Sequence, residues 1–324
     1  MKYELFIQRG SGTWQKPMVV EPITWETARK DTPGKLTFTV VKDETLGFNE
    51  GASVIFRVDG VDLFWGFVFE KSRDKDHHIQ VVAYDQLRYF KNKNAYALNG
   101  MTTSDFLKRI CSDFSLITGT IEDTGAKLDI LYTNDTLFDM VQGCIDETVT
   151  KTGKLYCLYD DYGKITLKDI DNLKLNYVIT DENSENFDYI STIDSETYNR
   201  IKIQKADDEK KLYEYVVEED KTNIKQWGIL QHFEEWGNEQ NEAQVREKAK
   251  NLLKLYNLKK RSLSVKGCFG DIRVRGGNSV LVQLALGDLP KLNNYMLVEE
   301  AKHTFENNHH TMELRLSGNR EFYL

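Results

Sequence analysis

Nowhere in the 324 residues do apolar side chains run together for the roughly 18 positions that a membrane-crossing helix needs. The longest such stretches are strand-sized, as at Val280-Leu281-Val282, so membrane insertion is not expected. No signal peptide is expected either. Met1-Lys2-Tyr3-Glu4-Leu5-Phe6-Ile7 carries an early acid and no apolar h-region, so it reads as a first strand and leaves the chain in the cytoplasm that makes it. Prolines number only four, and with 40% hydrophobic and 29% charged residues the composition excludes disorder as the default.

Cysteine is sparse and badly spaced for metal or redox work. Cys111, Cys144, Cys157 and Cys268 form no C-x-x-C pair and have no histidine at finger spacing, so free buried thiols are expected. A basic surplus is absent as well. With 43 bases against 51 acids the net charge is −8, which argues against sequence-independent binding to nucleic acid. Residues 181–220 hold thirteen acids and five bases, so this one segment accounts for the imbalance of the whole chain. It reads either as a solvated acidic loop or as part of a duct along which DNA or a filament slides without sticking.

The length exceeds what one apolar core usually serves, so two or three domains are expected. Three helices stand out against a background of strands and turns. The first lies near 102–114, capped by Thr102, with Phe106, Leu107, Ile110, Cys111 and Phe114 at helical spacing. The second starts at Asn134 or Asp135, aligns Leu137, Met140, Val141, Cys144, Ile145 and Thr148, and stops at Gly153. The third, 241–257, opens on a capping box of Asn241 and Gln244 and carries one stripe of Val245, Ala249, Leu252, Leu253 and Tyr256, which should face a β-domain. Leu155 to Leu167 alternates as a hairpin turning through Asp160-Asp161-Tyr162-Gly163.

A repeat organises the rest. Gly51 to Val58 aligns with Gly277 to Leu284, a turn glycine followed by a strand. A second strand follows in each copy, Phe64 to Glu70 against Tyr295 to Glu300, then a polar turn, Lys75-Asp76-His77 against Glu306-Asn307-Asn308. A third strand closes each unit, Ile79 to Tyr84 against Thr311 to Leu316. Two related β-domains flanking a small α/β insert are implied.

Motifs that could carry chemistry are weak. With Asn307-Asn308 as a two-residue turn, His303 faces Met312 and His310 faces Phe305, which leaves the two imidazoles diagonal neighbours without a third ligand. Asp74-Lys75-Asp76-His77-His78 superficially matches a phosphoesterase signature but sits at a hairpin tip. Asp160-Asp161 are turn residues and do not face each other across a cleft. Gly276-Gly277 leads into a strand, unlike a phosphate-binding loop. No catalytic, cofactor-binding or metal-binding residue is expected. Trp65, Trp227 and Trp236 are the candidate interface anchors, with core packing the equal alternative for the latter two.

The central run Asp135 to Leu167, with Leu155 to Lys164 and Ile165-Thr166-Leu167, the element Asn223-Ile224-Lys225-Gln226-Trp227-Gly228, and Gly270-Asp271-Ile272-Arg273-Val274-Arg275-Gly276-Gly277 carry a resemblance. Together with Ala249-x-x-Leu252-Leu253 and His310 to Leu314, they resemble the XkdQ/YqbQ-like hub proteins of contractile phage tails and phage-tail-like bacteriocins, over nearly the full chain. In the second element Asn stands for the family's Ser and Trp for its Tyr.

The resemblance implies a mainly β fold with an α+β insert: two tail-tube-like β-barrel domains, 1–96 and 173–324, the latter with the flanking helix 241–257, around a small α/β domain at 97–172. It further implies a homotrimeric baseplate hub, assembled in the bacterial cytoplasm, that adapts a sixfold tail tube to a threefold spike. Implied partners are the tail tube or tube-initiator proteins above and the spike below, with the tape measure, a LysM-type hub partner and baseplate wedge proteins alongside. No cofactor, specific nucleic acid or membrane is implied. Three copies of a two-domain chain set six similar domains around one axis. The competing readings are a tail-associated cell-wall hydrolase and a glycan-binding adhesin using Trp65 or Trp236.

Overall fold

In a computed structural model of the chain, all residues are described except 11, 195, 208–211, 236–240, 286–293 and 319–324. The amino-terminal part is strand after strand: β1 (Tyr3–Arg9), β2 (Thr13–Gln15), β3 (Val19–Ala28), β4 (Lys35–Val41), β5 (Ser53–Val58), β6 (Val61–Arg73) and β7 (His78–Tyr84). Alternation explains them. In β4 and β5 every second side chain is buried, and Leu36, Phe38, Val40, Val54, Phe56 and Val58 converge on one core. Next come β8 (Lys93–Thr102), α1 (Thr103–Asp113), β9 (Thr118–Ile121), β10 (Lys127–Thr136), α2 (Leu137–Thr152), β11 (Tyr156–Asp160) and β12 (Ile165–Asp169). The two helices bury Phe106, Leu107, Ile110, Met140, Val141 and Cys144 together in a second core.

Thr102 caps α1 as the sequence predicts, its hydroxyl accepting from the Asp105 amide. The cap of α2 falls one or two residues later than Asn134 or Asp135, because both still belong to β10. Thr136 takes the role and forms a reciprocal box with Asp139. Gly153, at φ 70°, ends the helix in the left-handed conformation that its position demands.

The carboxy-terminal part comprises β13 (Lys174–Ile179), β14 (Asn186–Thr192), β15 (Arg200–Asp207), β16 (Leu212–Glu219), α3 (Lys221–Trp227), β17 (Gln231–Glu235), α4 (Glu242–Tyr256), β18 (Lys260–Phe269), β19 (Ser279–Val282), β20 (Asn294–Glu306) and β21 (His309–Ser317). The predicted capping box opens α4. Its stripe does not cover the long sheet, however. Val245, Ala249 and Leu252 close instead on Ile201, Ile203 and Val216 of a separate three-stranded sheet ordered β16-β15-β17. The acidic stretch 181–220 is thus neither one loop nor one wall: it is divided between β14 on the long sheet and β15 and β16 of this small unit.

The internal repeat is larger than the three strands visible in the sequence. The order β3-β4-β7-β6-β5 recurs as β14-β18-β21-β20-β19, antiparallel throughout. The smaller sheet, α3 and α4 are inserted between β14 and β18, where the first copy has a short link from β3 to β4. Even the hydrogen bonds match. Gly51 and Val298's counterpart Val68 pair through Gly51 N to Val68 O (2.7 Å) and Val68 N to Ala52 O (2.9 Å). In the second copy Gly277 N donates to Val298 O (2.8 Å) and Val298 N to Asn278 O (2.8 Å). Both glycines have positive φ, 84° and 94°, which explains why glycine stands at each. A one-residue bulge follows in each long strand, at Phe69 in β6 and at Glu299 in β20.

One correction concerns the third strand. Cross-strand partners make Met312, not Thr311, the equivalent of Ile79, because Phe67 pairs with Tyr84 and its counterpart Leu297 with Ser317. The hairpin tips differ in length: Asn307-Asn308 is a two-residue turn, both residues at positive φ, whereas Asp74 N bonds to His78 O across three residues.

Candidate functional site

The two repeated units are not separate sheets. β20 pairs with β19 up to Leu297, passes the bulge, and from Glu300 to Phe305 pairs with β3 of the amino-terminal unit. A single thirteen-stranded sheet results, with the β3·β20 seam at its middle. Apolar packing crosses that seam. Phe305 of β20 is fully buried in the amino-terminal core, against Phe56 at 5.1 Å between centroids. Arg29, just past β3, grips Glu299 through two bonds of 2.8 and 3.2 Å, and burial that would raise the Glu299 carboxyl is overcome by Arg29, which holds it below the usual range.

The face of the sheet opposite the cores is polar over the seam. Thr24 and Glu26 of β3 stand beside Thr304 and Lys302 of β20, and cross-strand ion pairs link Glu26 to Lys35 (2.9 Å), Lys302 to Glu313 (3.7 Å) and Arg315 to Glu300. Three pairs of opposite charge thus meet across strands, and the face offers small hydroxyls and mixed ions, five bases to three acids, around a shallow hollow of about 560 Å³.

Three parts of the chain meet at a second junction. Asp85 accepts from the amides of Gly34 (2.9 Å) and Leu87 (3.0 Å), while Asp160 accepts from Gly163 (2.6 Å) and Gln86 (3.1 Å). Arg275 reaches in from the carboxy-terminal unit, donates to the Asp160 carbonyl (2.8 Å) and stacks on Tyr159 at 4.1 Å. Burial pushes Asp160 up to about 6, and burial together with the Asp160 charge raises Asp85 well above the usual carboxylate range. Each of the four carboxylate oxygens accepts from a backbone amide, so the cluster fastens three parts of the chain together. Asp160, read from the sequence as a turn residue, is the buried last residue of β11; Asp85 was not singled out at all.

The histidines take the cross-strand register predicted, His303 opposite Met312 and Phe305 opposite His310. His303 Nε2 lies 2.8 Å from the Val274 carbonyl, so it carries the proton and donates. Its Nδ1 then accepts from His310 Nε2 at 2.9 Å. Burial pushes His303 down to about 3 and His310 to about 4. Unfolded histidines take protons near pH 6.5 and these do not, so each penalises folding progressively as pH falls from 6.5 toward its depressed value. His310→Gln is expected to cost about 1 kcal/mol at pH 7.5. That deficit should shrink by up to about 1.4 kcal/mol per pH unit below 6.5. Urea midpoints of both proteins from pH 7.5 to 5 check this; a constant difference would refute it.

Among the described residues, no three His, Cys, Asp or Glu side chains are placed to hold a metal ion. All four cysteines are buried and unpaired. Trp65 is half-buried and packs against the Gly163 turn of the insert, with no room there for even a Cβ: one built on Gly163 would lie 2.0 Å from the indole. Trp227 is half-buried at the end of α3, and Trp236 lies outside the described residues. No described helix is long and apolar enough to cross a membrane.

Comparison with known proteins matches residues 23–317, and so both repeated units and everything between them, to one family described as YqbQ-like. The chain belongs to the YqbQ-like family. It is 28% identical over 319 residues to the phage-like element PBSX protein XkdQ of Bacillus subtilis, covering 96% of this chain and 95% of that one. Among solved structures, the 43 kDa tail protein of prophage MuSo2 from Shewanella oneidensis superposes with a TM-score of 0.70 at 12% identity, covering 99% of this chain and 100% of that one. The Escherichia coli c3393 protein, described as a type VI secretion component structurally similar to the T4 tail proteins gp27 and gp5, superposes at 0.55 with 10% identity, over 97% of this chain and 76% of that one. This YqbQ-like chain has the mostly antiparallel β fold of prophage tail proteins.

Proposed function

We propose that the chain is a structural, non-enzymatic hub of a contractile tail baseplate, three copies forming a ring that adapts a sixfold tube to a threefold spike. The observation that carries the reading is the twofold occurrence of one five-strand unit, joined edge to edge through β3·β20 within a single chain. Three such chains present six like units, so one face matches a sixfold neighbour while the inserts keep the threefold. The c3393 likeness to gp27 and gp5 supports the same placement by analogy of fold. Residues 1–96 and 173–324 supply the ring, and the insert at 97–172 sits beside it toward the spike or wedge proteins. The polar face over the seam suits a lumen, since acids and bases are interspersed on it and three of its bases are paired across strands.

Native mass measurement of the purified chain, alone and with the tube protein, tests the proposal. The expected species has three times the 37.6 kDa mass of one chain, and images of the particle show it at the tube's distal end. A stable monomer that never enters a particle would remove the reading.

A further inference from the structure

We propose that adjacent copies are stitched by a second seam built like the first: β14 of one copy adds to the open edge of β6 of the next. This rests on the trimeric reading above. The argument is the repeat itself. In the carboxy-terminal unit, the edge of β20 beyond its bulge faces the 270–277 loop, and the slot between them is filled by β3, with Gly276 N bonded to Thr27 Oγ1 at 3.0 Å. In the amino-terminal unit, β6 beyond the equivalent bulge has β7 on one side and, among the described residues, no strand on the other. There the slot between Lys71-Ser72-Arg73 and the 46–52 loop is an open groove of about 740 Å³.

The strand that fits it is the counterpart of β3. That is β14, since Glu26 opposite Lys35 corresponds to Ile190 opposite Ser262. Among the described residues β14 pairs only with β18, and Ile190 is 52% exposed on it. Transferring the β3·β20 register places Lys71 opposite Ser191, Ser72 opposite Ile190 and Arg73 opposite Tyr189 of the neighbouring copy. Charge agrees. Residues 181–196, which hold β14, carry six acids and no base. The groove is lined by Arg9, Lys42, Lys71 and Arg73, with Glu50 the one acid. Where Arg29 and Glu299 lock the inner seam, the outer one sets Ile193 against Phe69. At the inner seam a Cβ on Gly276 would meet the Ala28 backbone at 2.4 Å. Glu50 stands in its place at the outer seam, so the incoming strand lies further from that loop, within the width of the groove.

The test is a disulfide across the new seam. Ser72 and Ile190 would form a non-hydrogen-bonded pair, with Cα atoms about 4.5 Å apart, within reach of a disulfide. Oxidised S72C/I190C should give a denaturant-resistant band of three chains, absent with reductant and absent in the wild type, whose thiols are buried. S72C/N186C, displaced by four residues or about 14 Å, should give under a tenth of that yield. Native mass is read on the same samples. A trimer that yields no three-chain band, or as much from S72C/N186C, overturns the strand pairing and leaves the hub reading intact; a monomer overturns both. If either variant misfolds, hydrogen exchange on the wild-type trimer decides: Lys71 and Arg73 amides should exchange roughly a hundredfold more slowly than in open strands, and open-strand rates would overturn the pairing.

Discussion

Phe305→Ala is expected to destabilise the protein by about 3–5 kcal/mol, a large share of the whole stability of a domain. The side chain is fully buried, and it lies in a core to which its own unit contributes little else: the cluster around it is Leu5, Ile23, Phe38, Phe56 and Val81 of the amino-terminal part. Its ring also stacks on His310 at 4.4 Å. Truncation therefore leaves a cavity at the point where β20 crosses into the other unit, and the loss should appear in both halves at once. Urea unfolding followed by tryptophan fluorescence and by far-ultraviolet dichroism checks this. A loss below about 1 kcal/mol would mean that the seam is not a shared core.

Arg29→Ala should cost about 3–5 kcal/mol at neutral pH, because it strands Glu299 in a site where its side chain is only 19% exposed. The sign with pH follows. In the wild type the Glu299 carboxyl is held below its unfolded value, so the pair contributes above that value and its contribution is lost as pH falls through the folded one. In the variant only the Ser317 hydroxyl and the Lys30 charge still oppose burial, so the folded value rises and the deficit shrinks as pH is lowered through the carboxylate range. Replacing both partners by Met should restore most of the loss, since desolvation and attraction then vanish together. Urea midpoints for the single and double variants measure each effect; a double variant as weak as the single one would contradict it.

Helices and turns were legible because their determinants are local. Thr102, Asn241, Gln244 and Gly153 occupy the caps that their chemistry predicts, and Asn307-Asn308 forms the turn that sets the histidine register. The repeat was legible in outline, since a glycine needing positive φ and a strand after it recur at Gly51 and Gly277. Its third strand slipped by one because the sequence comparison matched hairpin tips, which differ in length, and not cross-strand partners. The β3·β20 seam left no such trace. It joins residues some 275 positions apart, and its pairing depends on two edges meeting after each unit has folded. The same holds for Asp85 beside Asp160 and Arg275, three unremarkable residues in isolation that meet only once three parts of the chain are docked.

The bulges at Phe69 and Glu299 carry a mechanical consequence. Each marks the point where a long strand leaves one neighbour and becomes available to another, as β20 passes from β19 to β3. A strand anchored to different partners above and below such a kink cannot creep lengthwise without breaking both sets of bonds together. Load applied along the sheet is thereby shared between adjoining strands and resisted as shear across the whole of it.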